Sequence, residues 1–167
     1  MRASFFVRGP AVERHPDVVA ALVARGHTVA VHGYDHVHHL VRPPGWIARD
    51  TARAALAVGT ASGGPVRWYR PPYGQIATAS ARSARRHGMR TVLWSAWGRE
   101  WATSDPGDVV DRVLSGVGPG AIVLLHDSDD TCPRGTARLV LDALGPLVAE
   151  LRGRGLGPVT LDEMLGP

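Results

Sequence analysis

Thr28-Val29-Ala30-Val31-His32-Gly33-Tyr34-Asp35-His36 is the stretch from which the fold can be read. Its first part is short, apolar and partly β-branched, as in a strand buried on both faces. It ends on His32-Gly33, and a second histidine follows four residues after the first. Strands that stop on chemically able side chains are a feature of open parallel sheets and β/α barrels, whose active face lies at the C-terminal strand ends.

Working outward, the same alternation recurs. Ala3 to Val7 predicts a strand. His15-Pro16-Asp17 then opens a helix with Pro16 at its first position, Val18, Val19, Leu22 and Val23 inward, and Gly26 as its cap. Downstream, Pro43 and Pro44 lead to a helix from about Trp46 to Val58, broken at Gly63-Gly64-Pro65, and Val66 to Arg70 predicts a strand. Thr78 caps a helix ending at His87-Gly88, and Arg90 to Trp94 is again strand-like. Asp105-Pro106 starts a helix that Gly118-Pro119-Gly120 ends, and Ala121 to Leu125 is a strongly apolar strand. A helix from about Arg134 to Arg152, interrupted or kinked at Gly145-Pro146, precedes a last strand from Pro158 to Leu161. Repeated strand–helix units predict an α/β fold with a parallel sheet and covering helices, in one domain over residues 1–167.

The unusual polar residues gather at one kind of place. His32 ends the second strand and Arg70 the third; Glu100-Trp101 follow the fourth, and His126-Asp127 end the fifth. Packing alone does not require this. His32 and His36, spaced i and i+4, suit a divalent metal, or else belong to a histidine-rich surface loop. His38 and His39 read as surface residues. Arg70-Pro71-Pro72-Tyr73-Gly74 is a rigid turn whose first backbone donor after the prolines is Tyr73, able to face an oxyanion, or is a plain connection with an exposed Arg. Trp94, Trp97 and Trp101 offer faces for sugar rings, or pack in the core. His126 is a general acid or base, or a structural histidine.

Composition limits the functions open to such a chain. Its 167 residues are 44% hydrophobic and 20% charged, enough for a sizeable core. Neither Lys nor Asn occurs, and the net charge of +4 comes from scattered Arg. Solvated helix faces explain it better than a nucleic-acid surface. No apolar run reaches the roughly 18 to 20 residues of a membrane span. Residues 1–9 make too short an apolar stretch for a secretory signal. The single cysteine, Cys132, reads as a passive loop thiol with no internal disulfide.

Taken in order, these pieces resemble the polysaccharide deacetylase family, carbohydrate esterase family four, also called NodB-like. Ala3-Ser4-Phe5-Phe6-Val7-Arg8-Gly9 is similar to the family's second strand, and His32 and His36 to its metal-binding pair. Arg70-Pro71-Pro72-Tyr73-Gly74 is similar to its Arg-x-Pro-Tyr-Gly turn. Glu100-Trp101 stand where it has Asp-Trp, and Leu124-Leu125-His126 match its Leu-x-His ending. The resemblance implies a distorted (β/α) barrel of the polysaccharide deacetylase type, missing its first strand and helix. It implies hydrolysis of N- or O-acetyl groups on a carbohydrate polymer or glycoconjugate.

By the same resemblance, His32 and His36 bind a divalent metal, zinc before cobalt or nickel, which polarises the acetyl carbonyl and acidifies a water. Tyr73 holds the oxyanion, Pro72 and Trp101 contact substrate, and Leu124 lines the acetyl pocket. His126 protonates the leaving amine, Arg70 orients the base, and Glu100 sets the charge around them. The family's opening Thr-Phe-Asp-Asp-Gly, source of the base and third ligand, has no counterpart here. An upstream start, a fragment, or a relative that binds carbohydrate without turnover are the expectations this raises, with Asp35, Asp127, Asp129 or Asp130 as substitute ligands. Carbohydrate is the expected partner, with no nucleic acid and no transmembrane segment. The sugar and the oligomeric state are left open. Localisation depends on whether an N-terminal leader exists: cell envelope or outside with one, cytoplasm without.

Overall fold

The computed structural model describes residues 1–166, and these divide into two compact units. The first comprises residues 1–92 together with 159–166, the second residues 93–158.

The first unit is built on four parallel strands. β1 (Ser4–Val7), β2 (Thr28–Val31), β3 (Trp68–Tyr69) and β4 (Arg90–Thr91) lie side by side in chain order. β1 and β2 pair from Ser4↔Thr28 to Val7↔Val31. All four residues of β2 are buried, as expected of an apolar run inside a covered parallel sheet. Helices α1 (Gly9–Arg14), α2 (Pro16–Ala24), α3 (Pro44–Ser62) and α4 (Thr78–Arg86) provide the cover. Val29, Val31, Tyr69, Val12, Val19, Ala54, Val58 and Met89 form one core. Each large aliphatic side chain so buried contributes about 1.5 to 3 kcal/mol.

Several expectations shift here. α1 was not foreseen, because Gly9-Pro10 reads locally as a breaker; Pro10 occupies the first turn, where its missing N–H matters least. Ala77, not Thr78, is the cap residue of α4. The expected last strand, Pro158 to Leu161, is absent. Thr160 instead caps α7 (Leu161–Leu165) through a reciprocal box with Glu163. Asp162 in that helix accepts from Thr28 Oγ1 at 2.5 Å and Trp68 Nε1 at 2.8 Å, so α7 is bonded to β2 and β3.

In the second unit, β5 (Ala96–Trp97) pairs in parallel with β6 (Val123–Leu124). Helices α5 (Pro106–Gly116) and α6 (Thr136–Gly153) pack beside them. Val109, Val113, Ala143, Leu147 and Leu151 are its core. The expected strand from Arg90 to Trp94 stops at Thr91, and a new strand begins at Ala96. α6 runs through Pro146 without ending, and Ala143 before the proline and Leu147 and Leu151 after it are buried in the same core as Val109 and Val113 of α5.

Candidate functional site

In the first unit, His32 follows β2 directly, its N–H bonded to the Val7 carbonyl at 2.9 Å. Its Nδ1 lies 2.8 Å from the Arg70 carbonyl, which can only accept. His32 therefore carries its proton on Nδ1 and its lone pair on Nε2, the arrangement that backbone carbonyls impose on metal-binding imidazoles. The His36 ring lies 5.1 Å from that of His32, centre to centre, and 4.4 Å from that of Tyr73.

The segment between the two histidines is held from below. Gly33 takes a left-handed φ of 77°, which favours glycine. Asp50, on the inner face of α3, accepts the Tyr34 N–H at 3.0 Å through Oδ2 and the Asp35 N–H at 2.8 Å through Oδ1. His39 lies beside Asp50, its Nδ1 2.9 Å from Ser80 Oγ and 3.3 Å from the Tyr69 hydroxyl. His39 is fully buried, so the surface reading of it fails: it is part of the internal support for the histidine turn. Burial lowers its pKa, with Asp50 pulling the other way, and burial raises that of Asp50. His38 is exposed, stacked on Tyr73 at 3.7 Å.

Arg70 is buried, not an exposed end residue, with its guanidinium 4.0 Å from the Phe6 ring and Nε donating to the Val92 carbonyl at 3.4 Å. Desolvation brings its pKa down to about 10, still high enough to keep it cationic at neutral pH. Pro71 and Pro72 lead into Tyr73, whose φ of 58° is left-handed for a residue with a bulky side chain. Such backbone is held only where the surroundings over-determine it, here by Gly74 N–H on the Pro71 carbonyl and by the ring contacts of Tyr73.

In the second unit, Glu100 is fully buried in a short 3-10 turn at residues 100–102. Its Oε1 accepts from the His126 backbone N–H at 2.5 Å and lies 2.7 Å from His126 Nδ1. A carboxylate there fixes the proton on Nδ1 and leaves Nε2 to face outward on a side chain that is 28% exposed. Glu100 Oε2 is buried without a hydrogen-bond partner among the described residues. Trp101 meets the His126 ring edge-on at 5.4 Å, and Leu124 is buried on β6.

His32 and His36 suit two of the three protein positions of a catalytic zinc site. A third does not appear: among the described residues no group of three His, Cys, Asp or Glu side chains could hold an ion. Asp35 and Asp127 are exposed, and Asp129 accepts from the Gly135 and Ala137 N–H groups at the start of α6. The full ligand set is not met within these residues. Sequence reasoning missed Asp50, although a signal existed. Ile47, Asp50, Thr51, Ala54 and Val58 form the buried stripe of α3, and an ionisable residue inside such a stripe marks a buried polar role.

Comparison with known proteins completes the picture. Residues 1–92 match the family described as "Polysaccharide deacetylase". The chain is 30% identical over 166 residues to a peptidoglycan-N-acetylglucosamine deacetylase, PgdA, of Listeria monocytogenes, covering 99% of this chain and 33% of that protein. It is 32% identical over 160 residues to a chitooligosaccharide deacetylase of a Bradyrhizobium species, covering 92% of this chain and 73% of that one. Among solved structures, the Bc1960 peptidoglycan N-acetylglucosamine deacetylase superposes with a TM-score of 0.89 at 25% identity, over 98% of this chain and 74% of the other. The chain thus spans about a third of the length of the Listeria relative. With the α/β fold, the histidine pair, the Arg-Pro-Pro-Tyr-Gly turn and the Leu-x-His strand end all in place, this chain belongs to the polysaccharide deacetylase family, carbohydrate esterase family four.

Proposed function

We propose that this chain hydrolyses acetyl groups from an N- or O-acetylated carbohydrate, with a divalent ion, zinc before cobalt or nickel, at His32 and His36. The observation that carries the reading is the Glu100–His126 pair. A fully buried carboxylate bonded to both the backbone and Nδ1 of a histidine orients the outward Nε2, which is the geometry of a general acid. In its protonated form His126 delivers the Nε2 proton to the departing amine or alcohol, and Glu100 stabilises the imidazolium. Leu124 supplies an apolar wall suited to a methyl group. Arg70 contributes a permanent cation, and Tyr73 a backbone N–H suited to an oxyanion. When bound, the ion supplies Lewis acidity toward the acyl carbonyl. Relatives named for peptidoglycan and chitooligosaccharide deacetylation support amino-sugar polymers as the substrate class.

A second reading, sugar binding without turnover, is favoured by the want of a third ligand among the described residues. Zinc titration of the chain beside His32→Ala and His36→Ala separates the two. Tight binding of one ion per chain, abolished by either change and accompanied by acetate release from N-acetylglucosamine oligomers, supports the hydrolase. There His126→Ala is expected to slow release by about 10²- to 10⁴-fold. Weak zinc binding that is indifferent to both substitutions, with oligomers still bound, supports the sugar-binding reading.

A further inference from the structure

Beyond the Glu100–His126 pair and the Trp101 ring against it, the second unit carries two further indole rings that the acetyl chemistry does not use, Trp97 and Trp94. Trp101 touches His126. Trp97 lies 5.4 Å from Trp101 at an interplanar angle of 66°, and Trp94 lies 5.8 Å from Trp97 at 39°. None of these pairs is stacked face to face, so the rings do not cover one another's faces. Trp97 sits on β5 beside Ala96, which points inward at 2% exposure, and is itself 38% exposed. A single exposed Trp would mean little.

Its neighbour makes the case. Arg99 holds φ 48° and ψ 41°, left-handed backbone for a residue with a full side chain. The guanidinium stands 5.4 Å over the Trp97 ring. Among the described residues no carboxylate or carbonyl accepts from it, whereas the Arg99 carbonyl is taken by the Arg112 guanidinium and the Ala102 N–H. A strained residue that presents an exposed cation beside an exposed indole is retained at a cost in stability, and such strain clusters at ligand sites.

We infer that Trp97 and Arg99 form an additional sugar subsite, one aromatic ring further from His126 than Trp101. Its ligand is a neighbouring pyranose ring of the same polymer, not the one losing its acetyl group. The apolar C–H face of the sugar stacks on the indole. The Arg99 fork donates to ring hydroxyls or to an acetamido carbonyl. The inference rests on the carbohydrate reading proposed above and deepens it: the chain prefers oligomers long enough to reach Trp97.

Calorimetric titration of the full chain with β-1,4-linked N-acetylglucosamine dimer and tetramer tests it. The wild type should bind the tetramer more tightly than the dimer. Trp97→Ala should erase most of that difference, weakening the tetramer by about three- to tenfold, the scale of one aromatic stacking contact. Trp97→Phe should restore part of it. Arg99→Gly, which relaxes the backbone, should weaken the tetramer with no fall in melting temperature, so a folding defect cannot imitate the effect. If Trp97→Ala and Arg99→Gly both keep the wild-type gain with length, the subsite is overturned while the carbohydrate reading stands. If the wild type binds neither oligomer, both are overturned.

Discussion

Gly9 shows how closely the first unit is fitted at single positions. A Cβ built there would lie 2.1 Å from Cδ2 of Tyr34, the residue between the two histidines. Tyr34 is fixed further by its hydroxyl on Glu13 at 2.6 Å and by Arg53 over its ring at 3.6 Å. Gly9→Ala must displace that ring, and about 1 to 3 kcal/mol of destabilisation is expected. A thermal melt reads it as a fall of several degrees; an unchanged midpoint would show that the ring moves freely. Asp50→Asn is the companion test. It removes one of two carboxylate acceptors under the histidine turn and sets an NH2 group against a backbone N–H. Zinc affinity should drop, and Asp50→Glu should not restore it, because the added methylene misplaces both oxygens. Residues at this scale were legible where chemistry sits at strand ends: His32, Arg70 and His126 follow strands that the alternation of the sequence predicts, whereas Glu100 follows β5, a strand it did not predict. His39 was not legible, because its burial rests on Ser80, Tyr69 and Asp50, and neighbours that distant in the chain leave no local periodicity; Asp50 was marked only by its place in the buried stripe of α3.

Among the elements whose sequence misleads, α7 and α6 are the most instructive. Pro158 to Leu161 has β-type composition, yet Thr160 and Glu163 close a capping box and Asp162 binds two donors on the sheet. Removing that carboxylate by Asp162→Ala leaves the Thr28 hydroxyl and Trp68 indole N–H with a lost acceptor in a mostly buried place. A loss of about 2 to 3 kcal/mol in denaturant unfolding is expected; less than 0.5 kcal/mol would mean that water replaces it. Pro146 argues the other way. It is exposed within α6, with no N–H for the helical ladder. Pro146→Ala should raise stability by about 1 to 3 kcal/mol, and a lower midpoint would show that the proline serves the packing of Ala143 and Leu147. The helices with clean start or stop signals, such as α2 ending before Gly26 and α5 opened by the Asp105 cap, ran as their sequences read. Misreadings cluster where a cap or a proline acts against composition.

For the molecule as a whole, the buried polar groups set how stability follows pH. His39 has an ordinary value of 6.5 and a lowered one in the fold, chiefly through burial. Below that ordinary value the unfolded chain binds a proton that the folded chain refuses, so acidification through this range destabilises. Asp50, raised by burial, has the opposite sign. As pH falls through its raised pKa the folded state takes the proton first, which favours folding. His39→Gln keeps a polar partner for Ser80 but does not titrate. Unfolding free energies measured from pH 7.5 down to 5 should therefore fall more steeply in the wild type than in His39→Gln. Parallel curves would mean that His39 is not the group responsible.

The first unit takes its last helix from the far end of the chain, with the whole second unit lying between in sequence. On a ribosome, β1 to β4 emerge long before Asp162 can reach Thr28 and Trp68. The nascent sheet must wait through the synthesis of 66 intervening residues, 93–158, with those two donors unmatched. At roughly 5 to 20 residues per second that wait lasts some seconds. It is an interval in which a chaperone could hold the early half of the chain, and one that a circular permutant starting at residue 159 would abolish.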